Sequence, residues 1–280
     1  LTEDSDSFDT AKDLLVKHAL VKEQGDTLSL HRLVQTAFDF SKYGFARKGR
    51  QKAFHTIGRL LNARFPKMGG SVSLYSRWEH CSQLVPHCQS LREAYLRYQG
   101  TKICLLSSLD LDELFKNVAW YLIESGEHNE SLQVVEVAQE MCLDKEGLLY
   151  AQLCNNAGCI YFELNSGSAE ESFNECKRIR IEKLHDDHSE LANVYNNLSL
   201  YYTSVGKIEE AYTLMKRRLE MAINDPETGA AYLGFAHLGL GRIHFLRAEE
   251  GDDATALKHF EAARSLWAPL GTSGDWMMVQ

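Results

Sequence analysis

The sequence predicts an all-α protein built as a superhelical stack of helical hairpins, and three observations lead there. The first is helical periodicity. Between His188 and Ile223 apolar residues recur at Leu191, Val194, Tyr195, Leu198 and Tyr202, then at Ala211, Leu214, Met215, Leu219 and Ala222. Val205-Gly206-Lys207 between the two runs is a turn, so the runs form an antiparallel pair. The second is recurrence. Ser199 stands where the two helices approach most closely, and small residues occupy the same place at Gly158, Ala119 and Gly241. The third is composition: four prolines among 280 residues and a wealth of Ala, Leu, Glu and Lys favour helix.

The recurrence is in register at other positions too. The bulky residue three after each small one is Leu122, Tyr161, Tyr202 and His244. The small second-helix position is read as Ser131, Ser172, Ala211 and Ala256, with insertions at Asn165–Ala169 and Glu249–Asp253. Such a pair cannot bury both apolar faces alone, so it needs stacked neighbours. This pattern resembles the tetratricopeptide repeat. Its spacing of about 40 residues, against the usual ~34, is similar to the long variety of kinesin light chains and repeat-bearing signalling ATPases. The resemblance implies a right-handed superhelical α-solenoid with the first helices on the concave face. Four repeats are expected over 107–268.

The chain opens on Leu1, and it is read as a piece of a longer protein. Asp6 and Ser7 can cap a helix running from Phe8 to Val21, with Ala11, Leu14, Leu15, His18 and Ala19 on one face. Gly25-Asp26 is a turn, and Thr27-Leu28-Ser29-Leu30 alternates like a strand. His31 then opens a second helix through Phe45. Helix, strand and Leu-His-Arg-Leu-Val-Gln resemble the end of the winged-helix subdomain of nucleotide-switch ATPases. That NB-ARC or STAND group includes the NOD-like and plant resistance receptors, and the match looks closest to its fungal branch. Arg32 departs from the Asp of the plant pattern. The resemblance implies that His31 senses nucleotide, contacting the diphosphate of ADP, and does so only with the ATPase domain that this chain lacks. It also implies an upstream nucleotide-binding domain as partner.

Residues 1–45 are thus expected to be a winged-helix-like remnant. Residues 46–106 read as a helical connector that caps the solenoid. In it Ala53, Ile57, Leu60, Leu61 and Phe65 mark one helix, and Trp78, Cys81, Leu84 and Val85 begin the next, with Pro86 a kink or break. Residues 269–280 form a tail.

Composition bounds the function. The net charge of −9 is uneven, since residues 1–66 carry eleven Lys or Arg against eight Asp or Glu. An acidic solenoid disfavours nucleic acid and favours basic or neutral partners. The run Lys42 to Lys52, with five cations and no anion, keeps a rival reading open: a transcriptional regulator whose winged helix contacts DNA. No apolar run reaches the ~18 residues of a membrane span. The seven cysteines lack framework spacing, and Cys104, Cys142, Cys154, Cys159 and Cys176 fall on apolar helix faces. They read as reduced thiols of a cytoplasmic protein. Neither a P-loop nor a nucleophile elbow occurs, so no enzyme, cofactor or catalytic residue is expected. His80-Cys81 and His87-Cys88 are too far apart on one helix to share a zinc ion, unless Pro86 breaks it. His185-Asp186-Asp187-His188 reads as a capped loop rather than a metal site.

The informative polar pattern lies in the repeats. Two residues before each small position stand Asn117, Asn156, Asn197 and finally Gly239. Stacked first helices would set the three amides in a ladder. In kinesin light chains, which the repeats resemble, a similar ladder holds an extended peptide. An amide has a donor and an acceptor, as each peptide unit does. The ladder could equally bridge adjacent helices. Lys116, Trp120 and Arg242 are further expected groove residues, giving a preference for acidic or aromatic side chains. The function expected is a protein-interaction module, sensing or scaffolding a protein ligand within a signalling protein.

Overall fold

A computed structural model of the protein describes residues 3–17, 21–25, 27–30, 47–67, 74–102, 104–184, 189–224 and 229–270. It divides into two compact units, Leu1–Lys52 and Ala53–Gln280. His31, Lys42, the 185–188 segment and the 271–280 tail lie outside the described residues.

In the first unit, helix α1 (Glu3–Lys17) is followed by strands β1 (Val21–Gln24) and β2 (Thr27–Leu30). The strands form an antiparallel hairpin with Val21 opposite Leu30 and Gln24 opposite Thr27. Gly25 turns the chain at a positive φ of 58°, which glycine adopts without strain. Lys12 Nζ lies 3.0 Å from Glu23 Oε1 and ties the helix to the hairpin. The expected helix to Val21 is therefore corrected. Val21 begins a strand, because the alternating Thr27–Leu30 segment needs a partner for its backbone donors and acceptors.

Helix α2 (Arg47–Arg64) and helix α3 (Trp78–Tyr98) follow, the latter entered through a short 3-10 turn at Tyr75–Arg77. Four helical hairpins come next: α4 (Leu109–Glu124) with α5 (His128–Met141), α6 (Leu148–Glu163) with α7 (Ala169–Lys183), α8 (Ser189–Ser204) with α9 (Ile208–Asn224), and α10 (Ala230–Arg247) with α11 (Asp252–Trp267). Their buried side chains form successive clusters, each shared by neighbouring elements. One runs from Phe54 on α2 to Ile160 on α6, the next from Ala151 to Met221, and a third joins Ala211 and Met215 to Leu240 and Ile243. The architecture of the second unit is an all-α solenoid.

Each of the first three hairpins turns by the same device. The second residue after the first helix adopts the left-handed conformation: Gly126, Asn165 and Gly206, with φ of 81°, 53° and 78°. The carbonyls of Leu122, Tyr161 and Tyr202 each accept the amide five residues on, at 2.8, 2.7 and 2.8 Å. This closure satisfies carbonyls that a helix end would leave bare. The bulky position thus sits at the start of every such turn. The fourth hairpin differs: Ala248, at φ 53°, donates to His244 O at 3.1 Å.

Glycine and serine set the spacing between paired helices. A Cβ on Gly158 would lie 2.5 Å from Phe173, and one on Gly241 would lie 2.5 Å from Phe260. Phe173 stands four residues after Ala169, as Phe260 stands four after Ala256, and Ala169 has no exposed surface. The small second-helix position of the second hairpin is therefore Ala169, not the half-buried Ser172. The expected register failed there because Asn165, not a glycine, takes the left-handed position two residues after α6.

The buried face of α2 is also rotated from expectation. Phe54, Asn62 and Phe65 are buried, whereas Ile57 and Leu60 are exposed at 45% and 59%. Gly58 lets α2 approach α4, since a Cβ there would collide with Leu111. Asn62 Nδ2 donates to Asp110 Oδ1 and Glu113 Oε2, both at 3.1 Å. A glycine and an asparagine on the contact face defeat a purely apolar reading. Helix α3 runs through Pro86, burying Cys81, Val85, Cys88, Leu91 and Tyr95 along one side. None of the described helices is long and apolar enough to cross a membrane.

Candidate functional site: the first-helix face

The first helices α4, α6, α8 and α10 bring the expected groove residues to equivalent places. Asn117 and Asn156 have no exposed surface. Asn117 Nδ2 donates to Glu113 O, one turn back, at 2.8 Å. Asn156 Nδ2 crosses to the preceding repeat, donating to Lys116 O at 3.1 Å, while its oxygen accepts from Gln152 at 2.9 Å. Half-buried Asn197 also reaches back, donating to Asn155 Oδ1 at 3.0 Å and to Cys159 Sγ at 3.5 Å. Of the two roles open to the ladder, Asn156 and Asn197 perform the bridging one here.

The other expected groove residues keep some surface. Lys116 and Trp120 are half-buried and Arg242 is exposed. Trp120 Nε1 donates to Glu124 Oε1 at 2.8 Å, which fixes its ring against α4. Burial pushes the Lys116 ammonium pKa down, opposed by the Glu113 carboxylate one turn away.

Three polar residues escaped the sequence reading. Asn155 and Asn196, each three before a small position, extend the amide seam. Asn196 Nδ2 donates to Asn197 Oδ1 at 3.2 Å. The third is Arg218 of α9, which is 3% exposed. Its Nη1 donates to Asn196 Oδ1 at 2.9 Å, and its guanidinium lies 5.9 Å from the Phe235 ring centre. Burial lowers its pKa to about 10. A signal existed: Arg218 falls seven residues after Ala211 and four before Ala222, within the apolar stripe of its helix. Arg180 of α7 threads similarly between α6 and α8, 1% exposed, donating to Gln152 Oε1 at 2.5 Å and Glu190 O at 2.7 Å.

Two further clusters lie elsewhere. At the turn edge a cleft of about 250 Å³ is lined by Phe162 and Tyr201, edge to face with centres 6.3 Å apart, and by Asn165, Ser166 and Val205. In the last hairpin Asp252 accepts from Arg247 Nε at 2.9 Å and meets His244 Nδ1 at 2.6 Å. The Arg247 guanidinium and then His244 hold that carboxyl well below the usual carboxylate range. His259 stacks on His244, and its Nδ1 lies 2.9 Å from His237 Nδ1.

The seven cysteines are free. Burial pushes the Cys81 thiol up to about 11 and Cys88 up to about 12. These are packed thiols on the continuous helix α3, and His80 Nε2 faces Arg64 O at 3.0 Å. Among the described residues no three His, Cys, Asp or Glu gather where a metal ion could sit.

Searches for relatives give structures rather than sequences. No protein-family model and no curated protein matches the chain. The crystal structure of BtubC (BKLC) from P. vanneervenii matches with a TM-score of 0.55 at 18% identity, over 81% of this chain and 93% of that one. A Podosopora anserina kinesin light chain-type protein with nearly identical TPR-like repeats matches in two crystal structures. One gives a TM-score of 0.55 at 13% identity, over 81% of this chain and 98% of that one. The other gives 0.53 at 13%, over 80% and 97%. The fold is that of TPR-like repeats. At these identities the likeness is one of fold alone. The last hairpin, with its histidine cluster and divergent turn, is where this chain departs furthest from its own repeat pattern.

Proposed function

We propose that the protein is a non-catalytic interaction module whose first-helix face holds an extended segment of a protein partner. One observation carries the reading: half-buried Trp120, Cys159 and Leu200 recur at one place on three consecutive first helices, with half-buried Lys116, Asn196 and Asn197 beside them. A face that is polar, periodic and partly open suits an extended strand, since packed helices stand ~10 Å apart and three residues of strand span a similar length. Beneath it buried Asn156 ties its helix to the preceding first helix. Half-buried Asn197 and the side chains of Lys116, Trp120 and Arg242 meet the ligand.

The module would serve as the ligand-sensing or scaffolding part of a cytoplasmic nucleotide-switch signalling protein, with an upstream nucleotide-binding domain as its partner within the molecule. Support for that context comes from the Leu-His-Arg-Leu-Val-Gln segment, in which His31 would sense the ADP diphosphate.

Panning random peptides against the full chain tests the groove. Recovered peptides should bind Trp120→Ala and Asn197→Ala about tenfold more weakly; equal binding by both variants would move the site elsewhere. Calorimetry tests the context: this chain should not bind ADP, and micromolar binding would contradict the role given to His31.

A further inference from the structure

We infer that the cleft at the turn edge, between the second and third hairpins, docks a proline-rich segment of a protein partner in its extended polyproline form. The site is separate from the first-helix ladder. Phe162 and Ser204 stand six and seven residues beyond Asn156 and Asn197, about 10 Å further along their helices. It stands whether or not the first-helix face binds a peptide.

The second hairpin builds the cleft with a longer turn. Five residues, 164–168, part α6 from α7, against three, 125–127 and 205–207, in the first and third hairpins. The added length is held by its own backbone. Asn165 N donates to Phe162 O at 3.0 Å, Ser166 N to Tyr161 O at 2.7 Å and Ala169 N to Ser166 O at 3.4 Å. Phe162 and Tyr201 are the aromatic walls, and Tyr202 continues that surface, its ring centre 5.8 Å from that of Tyr201. Val205, 48% exposed, adds an apolar side.

Asn165 is the residue that points to a ligand. The first and third hairpins put glycine at this left-handed position, Gly126 and Gly206, whereas Asn165 carries a side chain there at φ 53°. A side chain strains that conformation where glycine does not. The Asn165 amide lines the cleft yet makes no hydrogen bond with the other described residues. The Tyr201 hydroxyl is likewise without a hydrogen-bond partner among them.

The lining selects the occupant. None of its side chains is charged, and Lys207, whose ammonium lies over the Tyr202 ring, is already paired with Glu170 at 3.1 Å. At about 250 Å³ the cleft is smaller than the ~300–1,000 Å³ of cofactor and small-molecule pockets, so it takes a ring or two. Polyproline segments dock on aromatic walls, and their preformed extension leaves little entropy to lose. Proline has no N–H, so such a strand presents carbonyl acceptors alone. Asn165 Nδ2 and the hydroxyls of Tyr201 and Ser166 can all donate to them.

An NMR titration of the isotope-labelled 280-residue chain with a decaproline peptide provides the test. Backbone amides at 165–168 and 204–206 should shift and saturate, and a Gly-Ser peptide of equal length should shift neither group. Asn165→Gly keeps the turn in the form the other hairpins use, and it should bind decaproline about two- to tenfold more weakly. Val205→Glu, at an exposed position, should also weaken it. Trp120→Ala, on the first-helix face, should leave it unchanged. Thermal melts establish that the variants fold. The absence of a saturable shift at these amides overturns the site, as does unchanged affinity in folded Asn165→Gly or folded Val205→Glu. Loss of decaproline binding in Trp120→Ala puts the peptide in the first-helix groove and overturns it too. If an Ala-Tyr-Ala peptide shifts the same amides and decaproline does not, the occupant is an aromatic side chain and the proline assignment falls. Where a variant fails to fold, the shift map of the parent chain decides.

Discussion

Ser199 Oγ donates to Ala211 O across the third hairpin at 2.9 Å. The first hairpin makes the same link in the opposite sense, from Ser131 Oγ to Ala119 O at 2.8 Å. Both pairs are twelve residues apart and buried. The small residue at the helix crossing is therefore also a hydrogen-bonding one in these hairpins. Ser199→Ala should cost about 0.5–1.5 kcal/mol, the worth of one net hydrogen bond. Ser199→Leu should cost about 1–3 kcal/mol by overpacking. Urea unfolding distinguishes the two.

Gly158→Ala opposes two effects. Alanine favours helix by ~1 kcal/mol, but its Cβ would press into the buried Phe173 ring at 2.5 Å. A ring with no exposed side has little room to retreat, so overpacking of about 1–3 kcal/mol should win. Denaturant midpoints should fall; a rise would mean that α7 yields freely.

The amide seam makes a stability prediction of its own. Asn156→Ala removes a fully buried bridge to Lys116 O, and Asn197→Ala strands Asn155 Oδ1. Each should lower stability by about 1–3 kcal/mol, because a buried polar partner is left bare. Thermal melts that stay level would mean that water or a neighbour replaces the amide.

The histidine cluster gives the last hairpin a pH dependence. Burial lowers the pKa of His237, and burial together with His237 and His244 lowers that of His259, both from the ordinary 6.5. Arg247 and Asp252 complete the charged surroundings, on the His244 side. On acidification the unfolded chain takes up protons before the folded one. The stabilising contribution of the neutral pair is full above about pH 6.5 and is lost as pH falls through the lowered folded values. Unfolding midpoints at about pH 7.5 and about pH 5.5 should differ less in His237→Phe than in the parent.

Asp252 anchors the divergent turn, accepting from Arg247 and from the Glu249 amide at 3.0 Å. Asp252→Ala should speed amide exchange at Glu249 and at the start of α11 while exchange in α4–α7 stays unchanged. Uniform acceleration would show that the loss spreads through the whole stack.

The sequence by itself determined the hairpins, their spacing and most of their turns. Those features are local: a 3.6-residue apolar period, a glycine that accepts positive φ, and a small residue at each crossing are written within one hairpin. The register slipped only in the second hairpin, where Asn165 took the glycine's part and Ala169 the serine's. Tertiary structure alone decided which polar groups went inside. Gly58 and Asn62 form the contact face of α2, Asn155 and Asn196 join the seam, and Arg218 threads between first helices. Whether a polar side chain is solvated or sealed depends on what a neighbouring repeat lays against it. That neighbour lies some forty residues away, where no local pattern reaches.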